Sequence, residues 1–252
     1  MRVLVCLLTI PLFLAACGKK GALIYPEMLV PAAPSAVSTQ QTGTIVKLSF
    51  VAPQRDRAGR SLRDLVGIKV LRREAITGQS DSCSACVADF ALFHKLYMDL
   101  PDQAVRRYGS LMMLLDTDVR IGSDYSYIVV AYNGDDHDGE PAAPVTVSMV
   151  PAPESPALTA TAEPTEIRLK FTARPPRQGI VIGHNLYRVV KGEPMSYLPH
   201  NKELLTGDTF VDVGLERRVI YSYVARTVLK LPSGALVESD ASAEVSVQLL
   251  DE

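Results

Sequence analysis

Four segments of the chain occur twice in the same order, and this internal repeat constrains the fold more than any other feature of the sequence. The first half contains VPAAPSAV, TIVKLSFVAP, VGIKVLRRE and YSYIVVAY. The second half contains the matching segments VPAPESPAL, TEIRLKFTARP, IGHNLYRVV and YSYVARTV. Such self-similarity indicates two copies of one domain in tandem. We place the first copy at residues 35–150 and the second at residues 151–252.

Within each copy, apolar residues alternate with polar ones over short runs. The residues of one face are Val46, Leu48 and Phe50 in the first copy and Ile167, Leu169 and Phe171 in the second. Lys47 belongs to the opposite face. A period of two predicts half-buried strands, and turn signals such as GDDHDG, RPPRQG and LPSG separate them. The sequence therefore predicts an all-β protein with two antiparallel β-sandwiches.

The order of signals in each copy resembles that of fibronectin type III domains. A proline-rich start precedes a strand that ends in Phe50 or Phe171, where the family commonly has tryptophan. Then follow a strand ending in arginine (GIKVLR, GHNLYR), an aspartate (LLDTDV, FVDVGL) and a strand that begins YSY. The resemblance implies tandem type III sandwiches. At the start of the YSY strand, it also implies that Tyr125 and Tyr221 form tyrosine corners rather than bind a ligand, and the spacing of Phe50, Phe171 and Tyr187 is that of core residues.

The first 16 residues have the pattern of a signal peptide. Arg2 precedes an apolar run to Leu14, which is shorter than the roughly 20 residues that a membrane-spanning helix needs. Small residues then precede Cys17, as in the lipobox of bacterial lipoproteins. This resemblance implies that Cys17 becomes the first residue, carries diacylglycerol and has an acylated amino group. The alternative is a secreted protein with a free thiol.

Residues 17–34 are predicted to be a lipidated cysteine followed by an extended tether, because they contain three prolines and little periodicity. Gly18 stands where an aspartate would mark retention in the inner membrane, which favours the periplasmic face of the outer membrane. The start, CGKKGALIYP, resembles that of the short lipoprotein that assists lipopolysaccharide transport.

The first copy has 20 more residues than the second between corresponding positions of the third and fourth repeated segments: Gly67 to Tyr125 spans 58 positions and Gly183 to Tyr221 spans 38. These residues include DSCSAC, with Cys83 and Cys86, followed by an alternating run that predicts an additional strand near Phe90–Leu100. In an oxidising periplasm we expect a Cys83–Cys86 disulfide. Redox catalysis and a zinc site completed by His94 or His137 are the alternatives.

Two charged loops of the first copy are expected at one end of the sandwich. QRDRAGRSLRD carries Arg55, Arg57 and Arg60, and NGDDHDGE carries Asp135, Asp136 and Asp138. They either neutralise each other and remain solvated, or form a polar docking surface for a partner. The acidic loop does not fit a calcium-binding pattern, because Gly134 and Val145 occupy ligand positions.

No catalytic motif is present in the sequence, and we expect no enzymatic activity, no cofactor and no metal site. Without residues 1–16 the chain has 25 basic and 28 acidic side chains, which argues against a nucleic-acid partner. The favoured function is a non-catalytic binding or scaffolding module, attached to the membrane through the Cys17 lipid, for an envelope protein or glycan. The alternative is thiol-disulfide or metal chemistry at Cys83 and Cys86.

Overall fold

The computed structural model describes residues 25–78, 89–134 and 136–250. In these residues the chain forms sixteen β-strands and one 3-10 turn, Pro26–Met28. The chain is therefore all-β, as the alternating pattern predicts. Within the described ranges, no helix is both long and apolar enough to cross a membrane.

The first sandwich consists of two antiparallel layers. One layer contains β1 (Ser35–Thr42), β2 (Ile45–Val51), β5 (Val105–Tyr108) and β6 (Leu111–Asp116), in the order β1-β2-β6-β5. The other contains β3 (Leu65–Ile76), β4 (Ala91–Tyr97), β7 (Ser123–Asn133), β8 (Asp138–Pro141) and β9 (Val145–Ser148), in the order β4-β3-β7, with β8 and β9 both pairing with β7. The predicted extra strand is present as β4, at the edge of this layer.

The second sandwich repeats this arrangement with fewer strands. Its first layer contains β10 (Ala157–Ala162), β11 (Glu166–Thr172) and β13 (Thr209–Val213), in the order β10-β11-β13. Its other layer contains β12 (Ile180–Val190), β14 (Tyr221–Lys230), β15 (Leu236–Glu238) and β16 (Val245–Val247), with β14 in the middle. The predicted fold, two fibronectin type III-like sandwiches, is confirmed.

Alternate residues of the paired layers build a separate core in each sandwich. In the first, Val46, Leu48 and Phe50 of β2 pack with Tyr127 and Val129 of β7. In the second, Leu186 of β12 and Tyr223 of β14 pack with the apolar face of β11. Tyr187 is also buried, but it differs from the prediction because it faces the other sandwich rather than the core of its own.

A buried aspartate holds each sandwich together in the same way. In the first, Asp116 accepts a hydrogen bond from Tyr127 (2.7 Å) and pairs with Arg72 (2.8 Å). In the second, Asp212 accepts one from Tyr223 (2.7 Å) and pairs with Arg188 (2.9 Å). These residues lie at corresponding positions of the two copies, so each copy has the same salt bridge between its two layers.

The tyrosine corners are also confirmed. The Tyr125 hydroxyl accepts a hydrogen bond from the Arg120 amide, and the Tyr221 hydroxyl accepts one from the Glu216 amide, each at 3.0 Å. Both acceptors lie five residues after the donor in the chain. The two tyrosines fix the chain at the start of β7 and β14 and are structural.

Residues 25–34, which the sequence places in the extended tether, are bonded to the first sandwich. The amides of Ala32 and Arg57 donate to the carbonyls of Arg55 (3.0 Å) and Val30 (3.1 Å). The Glu140 amide donates to Pro31 (2.9 Å). Polar backbone groups of this segment bond to the loop before β3 and to β8. The proline content of the segment does not predict these bonds. Residues 30–32 of the predicted tether are therefore held against the first sandwich.

The two sandwiches share one sheet. Strand β15 of the second pairs in parallel with β1 of the first, with Gln41 opposite Val237 and Thr42 opposite Glu238. This pairing joins the strands in the order β12-β14-β15-β1-β2-β6-β5. Gly43 has φ +60°, and a Cβ there would lie 1.8 Å from the Asp240 carboxylate, so the turn beside the pairing requires glycine.

Glu238 is the centre of the junction. Its side chain is fully buried and accepts hydrogen bonds from the hydroxyls of Thr42 and Tyr187, each at 2.9 Å, and from the Asn185 amide. Lys47 of the first sandwich lies 3.7 Å away and is 6% exposed. A carboxylate removed from water needs such donors, and here both sandwiches supply them.

Replacing Glu238 by alanine should therefore destabilise the chain by about 3–5 kcal/mol, because Lys47 would remain buried without its counter-charge. Urea denaturation would measure the change. The matched control is Glu163→Ala, which removes an exposed pair with Arg168 (2.7 Å) and should cost less than about 1 kcal/mol. Equal effects of the two substitutions would contradict this account of the junction.

The second sandwich should lose stability in mild acid. His184 is buried, stacks on Phe171 with 5.2 Å between ring centres, and burial lowers its pKa. Burial, followed by the nearby Arg188, also lowers the pKa of His200. Both histidines bind protons more readily in the unfolded chain than in the folded one. The free energy of unfolding should therefore fall as pH drops below about 6.5.

Denaturation curves at several pH values would test this expectation. His184→Phe keeps the ring stacking and removes one titrating group, so its stability should depend less on pH than that of the wild type. The same pH dependence in both proteins would contradict the assignment.

Candidate functional site

The two predicted loops meet at one end of the first sandwich. One loop, residues 52–64, joins β2 to β3, and the other, residues 134–137, joins β7 to β8. Arg57 of the first lies 3.7 Å from Glu140, in β8, and the two side chains are 41% and 50% exposed. The prediction that both loops lie at the same end is confirmed, and we call this region the tip.

The arginine loop is shaped by bonds within itself. Asp56 is buried and pairs with Arg60 at 2.8 Å. Burial acts to raise the pKa of Asp56, but hydrogen bonds from the Arg60 side chain and amide outweigh it and lower the pKa. Arg55 donates to the Gly59 carbonyl (2.6 Å). The loop is therefore ordered, and it presents Arg55 and Arg57 at the surface.

The acidic loop pairs mainly with lysines of the strands rather than with the arginine loop. Asp138 accepts a hydrogen bond from Lys69 (2.7 Å), and Asp136 lies 3.5 Å from both Lys69 and Lys95. The bond to Asp138 raises the pKa of Lys69, and the charges of Lys69 and Lys95 lower the pKa of Asp136. Asp135 lies outside the described residues.

Two tyrosines lie beneath these lysines. The Lys95 ammonium is 4.6 Å from the ring centre of Tyr132 and 5.4 Å from that of Tyr97, and the Lys69 ammonium is 5.1 Å from that of Tyr132. Tyr132 is buried, which raises its pKa to about 12, whereas Tyr97 is 41% exposed. The interactions of these cations with aromatic rings order the lysine side chains.

The sequence gives no prediction that Lys69, Lys95, Tyr97 or Tyr132 lies at the tip. They belong to strands in which polar and apolar residues alternate, and the pattern does not distinguish them from other residues of these strands. The antiparallel register that sets Lys69 opposite Lys95 and Gly67 opposite both Tyr97 and Tyr132 brings them together. A lysine at one position on each of two adjacent predicted strands was the only available signal.

Three predicted site residues, Cys17, Cys83 and Cys86, lie outside the described residues, so the lipidation and the disulfide stay predictions. His94, one candidate for a zinc ligand, bonds to Asp102 at 2.7 Å. In the described ranges, no three side chains of the metal-binding types are grouped so that they could hold an ion.

The tip offers exposed charges of both signs over ordered aromatic rings. Among the described residues of the tip, no nucleophile lies beside a base. The exposed charges and rings can form salt bridges, hydrogen bonds and ring contacts with another molecule. Such mixed surfaces are typical of binding loops on a rigid scaffold.

No protein-family model and no curated protein matches the chain. Among solved structures, it is similar to the crystal structure of the chicken CNTN1 FN1-FN3 domains, with 12% identity, a TM-score of 0.30 and 88% of this chain covered. The chain spans 66% of that protein's length. It is also similar to a protein described as a myokine structure, with 16% identity, a TM-score of 0.31, 40% of this chain covered and 100% of the other.

The pair that joins the two loops should be weak. A double-mutant cycle with Arg57→Gln and Glu140→Gln should give a coupling of less than about 1 kcal/mol, because both side chains are largely exposed. The matched cycle with Arg72→Met and Asp116→Asn, in the interior of the same sandwich, should give a larger one. Urea denaturation of the four variants of each cycle measures both. A coupling at the tip as strong as the interior one would mean that the loops are locked together rather than free to bind.

Proposed function

We propose that this chain is a periplasmic lipoprotein, anchored in the outer membrane through Cys17, that acts as a non-catalytic binding module. The tip of the first sandwich binds an envelope protein at the membrane surface. A lipid on Cys17, with more than one acyl chain, would hold the protein firmly, since each buried methylene contributes about 0.8 kcal/mol.

One observation carries the proposal: exposed charges of both signs lie side by side at the tip of the first sandwich, where the Arg57 and Glu140 side chains are 41% and 50% exposed. In the second sandwich, Arg174 pairs with Glu154 of the linker (2.8 Å). Leu231 and Ala235 line a groove together with residues 38–41 of β1. The loop of Leu231 and Ala235 thus lies beside β1 of the first sandwich, whereas the tip lies at the other end of β2.

The path of the chain supports a partner close to the membrane. Residues 28–32 are bonded to the tip, so ten residues, 18–27, separate Cys17 from the bonded segment. A segment of this length reaches at most about 40 Å when fully extended. With a lipid on Cys17, the tip would lie close to the membrane surface, where a membrane-embedded protein presents its periplasmic face.

Capture of an envelope protein tests the binding surface. The tagged chain, crosslinked in cells and purified from solubilised envelopes, should retain a specific protein, and charge reversal of Arg55 and Arg57 to glutamate should abolish that capture. The matched control reverses Arg168 and Lys170, which are exposed on β11 of the second sandwich. Loss of capture in the control alone would show that the binding surface lies on the second sandwich, and would contradict the proposal. Recovery of a glycan in place of a protein would contradict the proposed class of partner.

A Cys17→Ala variant tests the anchor separately. It should incorporate no labelled fatty acid and should leave the membrane fraction, while its fold stays unchanged. Labelling that persists in this variant would contradict the lipoprotein assignment but not the proposed binding role of the tip.

A further inference from the structure

A small cavity lies between the two sandwiches, next to the buried Glu238. Its volume is about 100 Å³. The first sandwich contributes Thr42 and Lys47 to its wall, and the second contributes Ser196, Tyr197 and Arg226. Both halves of the molecule therefore contribute polar and charged groups to a wall that also contains the apolar side chains of Ile45, Leu115 and Met195.

The Lys47 ammonium has too few partners for a buried charge. Within the described part of the chain its only ion pair is with Glu238, at 3.7 Å, and it donates no hydrogen bond there. Glu238 also accepts hydrogen bonds from Thr42, Asn185 and Tyr187, so Lys47 shares this counter-charge with three other donors. An acceptor in the cavity beside the ammonium would complete its hydrogen bonds.

Arg226 adds a second positive charge to the same wall. Its guanidinium donates to the Ser239 carbonyl (2.8 Å) and lies 5.8 Å from the ring centre of Tyr187. It has no carboxylate partner among the described residues. Arg106 lies over the ring of Tyr197, at 5.2 Å. Two cations, Lys47 and Arg226, thus line the cavity, and Arg106 lies over Tyr197 of its wall.

Burial, together with the neighbouring charges, sets the pKa of Lys47 below its ordinary value. Burial lowers it most, the attraction of Glu238 opposes that effect, and the charge of Arg226 lowers it further. An anion beside both cations would offset the repulsion between Lys47 and Arg226. It would also supply hydrogen-bond acceptors to the ammonium and to the planar guanidinium fork, which matches the geometry of carboxylate and phosphate oxygens.

We propose that the cavity binds a small oxyanion, of the size of phosphate or a short carboxylate, between Lys47 and Arg226. The volume sets the limit on size, since a cavity of about 150 Å³ accommodates benzene. Because the two cations come from different sandwiches, the bound anion would tie the halves of the molecule together and stabilise the folded chain.

Thermal unfolding of the purified full chain tests this site. Inorganic phosphate and sodium acetate, each titrated against sodium chloride at equal ionic strength, should raise Tm in a saturable way by several degrees for at least one of the two oxyanions. A response to phosphate alone identifies a tetrahedral oxyanion, and a response to acetate identifies a carboxylate. No rise beyond that in chloride with either would overturn the proposal.

Substitutions locate the effect. Arg226→Gln should lose the rise in Tm, and the matched control Arg168→Gln, at an exposed arginine of the same sandwich, should keep it. If Arg226→Gln does not fold, amide chemical shifts of the wild type decide: phosphate or acetate should move the signals of residues 195–197 and 226. Shifts confined to other residues, or an equal rise in both variants, would contradict the site.

Discussion

The structure depends on the burial of one carboxylate, Glu238, at the place where the two sandwiches meet. A fully buried carboxylate is tolerated only where enough donors surround it. Thr42 and Lys47 come from the first sandwich, and Asn185 and Tyr187 from the second. Separating the sandwiches would leave this charge without half of its partners. The shared sheet between β1 and β15 and the charge network therefore support each other.

A fixed junction determines which surfaces remain available. It brings one loop of the second sandwich, around Leu231 and Ala235, beside β1, and it leaves the tip of the first sandwich at the opposite end. The amino-terminal segment is bonded to that same end through Val30 and Pro31. The second sandwich completes the buried network of the first.

The sequence predicts the architecture well, because the evidence for it is local and repeated. The alternation around Phe50 and Phe171 and the positions of Tyr125 and Tyr221 define strands and corners within each copy. The junction is different. Alternation places Lys47 on the face away from its own core, but nothing nearby in the sequence shows that Tyr187 and Glu238 cover that face. Likewise, the lysines at the tip become neighbours only through the strand register, and a proline-rich segment gives no sign that its backbone bonds to the loop before β3 and to β8.

The orientation of the two sandwiches in solution tests the central claim most directly. Residual dipolar couplings of backbone amides can be measured for both halves of the full chain in one weakly aligned sample. If the Glu238 network and the shared sheet fix the junction, a single alignment tensor will fit the couplings of both sandwiches in the orientation described above. Two tensors that differ in magnitude would show that the sandwiches move independently, and would contradict the account.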